Sequence, residues 1–391
     1  MPRKHPSAFK PDENRERSPF ARKYFMAVIF SAAMPALAQH NSFTENYYPE
    51  ARLHYGFILP HTTKIEYLVR GHVPAFEASL VRYADSSNAC DRLYHYPSRG
   101  VTFFHAGFQY PEVLGSANSL VGFLNVPVVS TSGGLSLDYQ VSSGLSWITG
   151  KFDLVDNNLN VAIGSHINLH LSMLVDVRRR FGDHLEWSGG CSFTHFSNGR
   201  IRLPNLGLNY VSVFTGIGFR FDQPRQANPA KDAALPKDRT ISSPDKKFEH
   251  MVVVAIGIKQ YEITDEDFYR VNTLYYDLGR RLGPLMKVSL GADVFYDAST
   301  RNHFENNGTG DYHTTQLCSA GVHAGWHLTY RKVTGVVMAG HYLYNGTPPP
   351  SSLYGRIGLQ YRCTDHLSAN VSLKAHNAIA DFVEWGLAVY L

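Results

Sequence analysis

The sequence predicts an all-β chain folded as a transmembrane antiparallel β-barrel of about 16 strands, with 12–16 allowed. Three observations carry that prediction. Apolar and polar residues alternate with a period of two, the chain opens on an export-type leader, and only 18% of its residues are charged. A soluble β-sandwich would also alternate, but its solvated face would carry more Lys and Glu.

The clearest alternation runs from Ser165 to Arg178. Ile167, Leu169, Leu171, Met173, Val175 and Val177 are apolar, whereas His166, Asn168, His170, Ser172, Asp176 and Arg178 between them are polar, with Leu174 the exception. Successive side chains of a strand point to opposite faces, so this stretch has one greasy face and one wet one. It exceeds the usual globular strand and suits one that spans a bilayer.

Taken in order, the first 38 residues read as a secretory signal: Arg22-Lys23, then the apolar run Tyr24 to Met34, then Ala36-Leu37-Ala38 before Gln39. That apolar run is shorter than the roughly 20 residues a spanning helix needs. Alternating runs follow near 52–60, 73–84, 101–109, 118–127, 132–150, 163–180, 185–197 and 207–222, giving a first barrel half over 39–222. Residues 223–247, rich in Pro, Ala, Lys and Asp, have no apolar period and read as a polar connector. A second half, 248–391, carries runs near 249–262, 267–279, 285–297, 314–331, 334–345, 353–364, 366–376 and 380–391. Its last run sets Val383, Trp385, Leu387, Val389 and Leu391 against Phe382, Glu384, Gly386, Ala388 and Tyr390. Both halves finish with a strand, a turn containing His and Asn, and a final strand, which suggests duplication.

Composition excludes several classes. The net charge of +4 belongs to the leader, which holds seven Lys/Arg against three Asp/Glu, so the remainder is balanced. No nucleic-acid surface is expected from it. Cys90, Cys191, Cys318 and Cys363 are scattered without a C-x-x-C; export permits disulfides, and both pairing and free thiols stay open. No H-E-x-x-H or comparable ligand spacing occurs, so neither metal nor cofactor is expected. Alternation puts Lys374, His376 and Glu384 on one interior face, and His166 and His170 in the same class, as ordinary lumen filling.

The candidate chemistry sits where the seventh run ends. Its odd positions read Leu185, Trp187, Gly189, Cys191, Phe193, His195 and Ser197; its even positions read Glu186, Ser188, Gly190, Ser192, Thr194 and Phe196. The apolar odd set is the lipid face, so His195 and Ser197 continue that face to the headgroup level. On the eighth run Asn209 shares a face with Val211, Val213, Ile217 and Phe219, which predicts that it lies beside His195. Polar groups facing lipid are costly, and three converging there are hard to explain by packing. A histidine beside a hydroxyl is the minimum for a base-activated nucleophile. With the N-terminus in the periplasm, strand parity puts this rim at the cell exterior and the connector on the periplasmic side.

The stretch Thr194-His195-Phe196-Ser197-Asn198-Gly199, continued by Pro204-Asn205-Leu206-Gly207-Leu208-Asn209 and preceded by a long run beginning Ile163-Gly164-Ser165, resembles the PagL-type lipid A 3-O-deacylases, or acyloxyacyl hydrolases. The resemblance covers residues 130–222, and the second half resembles the C-terminal extension of larger members only loosely. It implies an outer-membrane ester hydrolase that removes an acyl chain from the 3-position of lipid A in lipopolysaccharide, without a cofactor. Ser197 would then be the nucleophile, His195 the base, and Asn198 and Asn205 the oxyanion donors, with Gly199 letting the backbone approach the substrate. Where the family carries a Glu, twelve residues after the Ser, this chain carries Asn209. An amide can orient an imidazole but cannot stabilise its charged form. That departure keeps a second expectation in play, a catalytically silent barrel acting as a pore, scaffold or lipid binder.

Overall fold

The computed structural model describes residues 46–221 and 248–391, apart from 86, 132, 307–311, 348–350 and 378. The expected leader 1–38 and connector 223–247 lie outside the described residues. Among the described residues there are sixteen strands, and all pair antiparallel. The first eight are β1 (Tyr47–Ile58), β2 (His72–Arg82), β3 (Ser98–Gly107), β4 (Ser116–Ser130), β5 (Leu135–Ile148), β6 (Ile167–Phe181), β7 (Leu185–Ser197) and β8 (Leu208–Phe219). The others are β9 (Phe248–Lys259), β10 (Tyr269–Arg281), β11 (Met286–Asp297), β12 (Cys318–Tyr330), β13 (Val333–Asn345), β14 (Leu353–Arg362), β15 (Leu367–His376) and β16 (Ile379–Tyr390).

The number of strands is the one expected, and they close as two rings of eight rather than one of sixteen. β8 returns to β1, with Ile58 opposite Tyr210 and Glu50 opposite Gly218. β16 returns to β9, with Val383 opposite Ile258. Eight tilted strands enclose only enough space for side chains, so each lumen is a packed interior.

The alternation sorts the side chains as a bilayer requires. Leu53, Leu120, Val213 and Leu290 point outward and are 63–68% exposed, an apolar belt that only lipid would cover. The interleaved residues point inward, and they include buried charges. In the first barrel Arg52 bonds Glu50 at 3.1 Å and Glu77 at 3.2 Å, and Arg178 bonds Glu186 at 3.0 Å. In the second, Arg356 bonds Asp293 and Glu384, each at 2.7 Å. Buried charges persist only when paired in this way. Lys374, His376 and Glu384 join that interior network, through Asp381 (2.8 Å), Tyr342 (2.9 Å) and Arg356 respectively. His170 is also interior, bonded to Ser119 at 2.9 Å. His166 is not: its ring stacks on the outward-facing Trp147 at 4.7 Å, because the strand begins only at Ile167 and its parity does not reach back.

That late start corrects the expected strand 163–180. The Ile163 N–H donates to Asn160 Oδ1 at 3.1 Å and its side chain is fully buried, so the segment is a loop folded over the barrel mouth. It joins an apolar plug in which Ile65, Leu68, Phe108 and Leu114 from loops meet Phe196, Leu208 and Tyr210 from strand ends. The four cysteines are free thiols.

Most of the long connections gather at one end, as in spanning barrels. Segments 59–71, 108–115, 149–166, 198–207 and 260–268 lie at the end where β7 finishes, while tight turns such as 182–184, 282–285 and 331–332 lie at the other. The opposite end also holds the short helix α1 (Ala89–Leu93), capped by Asn88 and carrying the fully buried Asp91. Asp91 ties the barrels together there. Arg331, in the β12–β13 turn, reaches its two oxygens at 2.9 and 2.8 Å, and Tyr330 donates to it at 2.8 Å. Burial works to raise the Asp91 pKa, but the hydrogen bonds from Arg331, the Asp85 backbone and Tyr330 outweigh it and hold the carboxyl below its usual value.

A depressed carboxyl contributes stability above its unfolded pKa and loses it as the pH falls. Asp91→Ala is therefore expected to destabilise the protein by about 3 kcal/mol in urea unfolding, as for a broken buried ion pair. Arg331→Ala should add little once Asp91 is gone. The wild type should lose this increment as the pH drops below about 4, and Asp91→Ala should not.

Candidate active site

The local geometry starts with Phe196. It points into the plug of the first barrel and is fully buried, which turns its neighbours His195 and Ser197 to the outside wall. Register then does the rest: His195 lies directly opposite Asn209 on β8, as expected, and opposite Leu171 on β6. His195 Nδ1 is 2.6 Å from Asn209 Oδ1. The Asn209 carboxamide continues to a residue that the sequence did not single out, His61 in the β1–β2 loop, with Nδ2 3.1 Å from its Nδ1. That loop is held by a backbone bond from Leu59 N to Asn209 O at 2.8 Å.

With His195 Nδ1 committed to Asn209, the free ring nitrogen is Nε2. Gly207 explains why there is room for this edge of the ring. A Cβ at Gly207 would sit 2.8 Å from His195 Cε1 and 3.4 Å from Nε2, and its φ is +77°. Its signal was available in the Asn205-Leu206-Gly207-Leu208-Asn209 spacing, whereas His61 left none, since its nearness depends on a loop fold.

Ser197 is 5% exposed, and Asn198, which opens the loop 198–207, is 4% exposed. Among the described residues no hydrogen bond joins Ser197 Oγ to His195. Catalytic hydrogen bonds are often loose without substrate and tighten on binding. The loop is built by the two asparagines. Asn198 Nδ2 donates to Ser165 Oγ at 3.0 Å and to Arg202 O at 2.9 Å, and Asn198 N donates to Asn205 Oδ1 at 2.9 Å. Both amide hydrogens of Asn198 are thus engaged, and its side chain acts as loop scaffold rather than as a free donor. Asn205 keeps its Nδ2 without a partner among the described residues.

Gly199 also differs from expectation. Its backbone approaches the second barrel, where an added Cβ would lie 2.2 Å from Val383 Cγ2 on β16, and its φ is +63°. The second barrel supports the loop at another point too, with Leu203 N donating to the buried Gln260 at 2.7 Å. Among the described residues no group of His, Cys, Asp and Glu converges to hold a metal ion.

Two closed barrels with paired charges inside, an apolar wall outside, and a bonded His195–Asn209 pair at the end of that wall define a membrane-spanning barrel with a polar site at one rim. The chain belongs to the PagL-type lipid A 3-O-deacylase, or acyloxyacyl hydrolase, family: residues 77–217 match the model for lipid A 3-O-deacylase (PagL), and residues 248–391 match the acyloxyacyl hydrolase C-terminal domain. No curated protein matches the chain. Among solved structures, Neisserial surface protein A is similar at 10% identity and a TM-score of 0.30, over 45% of this chain and 97% of that one. A Rhodopseudomonas blastica porin mutant is similar at 8% identity and a TM-score of 0.17, over 88% of this chain and 99% of that one.

Gly207→Ala is expected to cost about 1–2 kcal/mol in urea unfolding, from the left-handed backbone alone. It should also push the His195 ring off Asn209, read as a shift of its imidazole ¹⁵N resonances. Gly122→Ala, where the nearest atom to a new Cβ would be 3.9 Å away, should do neither.

Proposed function

We propose that this protein is an outer-membrane hydrolase that removes the acyl chain esterified at the 3-position of lipid A. The observation that carries the reading is the outward-facing His195, bonded through Nδ1 to Asn209 so that Nε2 is left for a proton, within a chain of this family. Ser197 Oγ attacks the ester carbonyl as His195 Nε2 takes its proton. Asn205 Nδ2 is the side-chain donor available for the developing oxyanion, and Asn198 acts by holding Asn205 in place. The tetrahedral intermediate collapses, and the sugar hydroxyl leaves with the proton returned from His195. Water then attacks the acyl-Ser197 ester, again with His195 as base, and releases the fatty acid.

The position of the site favours this substrate. His195 and Ser197 end an apolar wall at the long-loop side, where an acyl chain in the outer leaflet lies beside them. The paired charges crossing both lumens weigh against an open pore. A silent lipid-binding barrel is the competing reading, favoured by the missing carboxylate at Asn209 and by the burial of Ser197. An uncharged orienting group can cost as much as about 10⁴-fold in rate.

Mass spectrometry of lipid A from cells making the wild type should show loss of one 3-hydroxyacyl chain, and cells making Ser197→Ala should show none lost. Asn209→Glu should raise the rate by about tenfold or more. Unchanged lipid A with a folded, surface-located wild-type barrel would favour the silent reading.

A further inference from the structure

We propose that His61 is a positioning residue for the reaction: it completes a His195–Asn209–His61 relay that locks the Asn209 carboxamide in the one orientation that leaves His195 able to act as a base. The inference rests on the Ser197–His195 reading above and adds to it a residue that neither the motif nor the family match supplies.

A carboxamide is a directional group where a carboxylate is not. A carboxylate presents two acceptors, so it fixes the proton of a neighbouring histidine on the near nitrogen whichever way it is turned. A carboxamide has one acceptor end and one donor end. With Oδ1 toward His195, Nδ1 carries the proton and Nε2 is free to accept one. With the amide reversed, Nδ2 donates to Nδ1, the ring proton moves to Nε2, and the base is lost. The two orientations have the same shape, so packing alone does not choose between them.

His61 supplies the choice. Its Nδ1 stands 3.1 Å from Asn209 Nδ2, on the far side of the amide from His195 Nδ1 at 2.6 Å. His61 is exposed, so its Nε2 can carry the ring proton and donate it to water, which leaves Nδ1 as an acceptor. An acceptor there requires the amide NH₂ on its side and therefore Oδ1 on the side of His195. The loop is placed for this by the Leu59–Asn209 backbone bond of 2.8 Å and by Thr62, which caps the following turn (Thr63–Leu68) through Lys64 N. A chain with a carboxylate at this position would have no amide to orient, so the role of His61 belongs to the Asn209 form of the site.

The test uses the full-length barrel in detergent, with purified lipopolysaccharide as substrate and released 3-hydroxy fatty acid as the readout. His61→Ala should lower kcat tenfold or more with KM within twofold of wild type. His61→Asn should restore most of the loss, because its side-chain oxygen falls near the position of the imidazole Nδ1. In an Asn209→Glu background, His61→Ala should change kcat less than twofold. An equal loss in both backgrounds, or no loss in either, would overturn the relay. Imidazole ¹⁵N shifts of His195 give a reading that needs no turnover. The ring proton should sit on Nδ1 in the wild type and be shared with Nε2 in His61→Ala; an unchanged tautomer would also overturn it. Activity surviving in Ser197→Ala would instead bring down the mechanism on which the relay rests, with the tautomer measurement still judging His61.

Discussion

The inward burial of Phe196 is the constraint from which the site follows. A phenyl ring moved fully into an apolar plug is worth about 2–3 kcal/mol relative to exposure. In a strand that choice commits both neighbours to the opposite face. Two polar side chains, one of them the imidazole, are thereby set on the lipid wall at a cost that the plug offsets. Had the plug been polar, as the lumen is further down at Arg52 and Arg178, the strand end would lose the apolar anchor that adds to its ladder pairing. The apolar mouth above a charged lumen is thus part of the site, although none of its residues carries chemistry.

Much of this was legible in the sequence because period-two alternation is a direct record of which face a residue occupies. The outward face of His195, Ser197 and Asn209, the pairing of β7 with β8, and the interior position of Glu384, Lys374 and His376 all follow from parity. Parity fails where the strand stops, so period-two alternation places His166 in the lumen and Ile163 in β6, where neither lies. Closure was illegible for a related reason. Alternation says how many strands there are, but which strand returns to which depends on pairing between β1 and β8, far apart in the chain. The roles within the 198–207 loop were hidden too, since Asn198 and Gly199 are typed by the motif but placed by contacts with Ser165 and with Val383 of the other barrel. Nothing in the local sequence around His61 announces Asn209.

The second barrel meets the first at both ends of the molecule. Near the site, Val383 and Gln260 buttress the backbone at Gly199 and Leu203; at the far end, Arg331 and Tyr330 converge on Asp91. The C-terminal half is therefore continuous with the machinery that shapes the loop, rather than an appendage to it. The amide at Asn209 fits the same pattern of shared work, because it bonds His195 on one side and His61 of another loop on the other.

The two seams have a bearing on assembly. Each ring is completed by its first and last strands, Glu50 meeting Gly218 in one and Ile258 meeting Val383 in the other, so each closes only after its whole half has been delivered. Long-range pairing of this kind is the slow step of sheet formation, and until it happens an apolar edge and a column of half-matched charges stand open. A single ring of sixteen would leave that edge waiting for the entire chain. Splitting the chain into two rings lets the N-terminal half seal while the other is still arriving, and halves the longest loop that either seam must close.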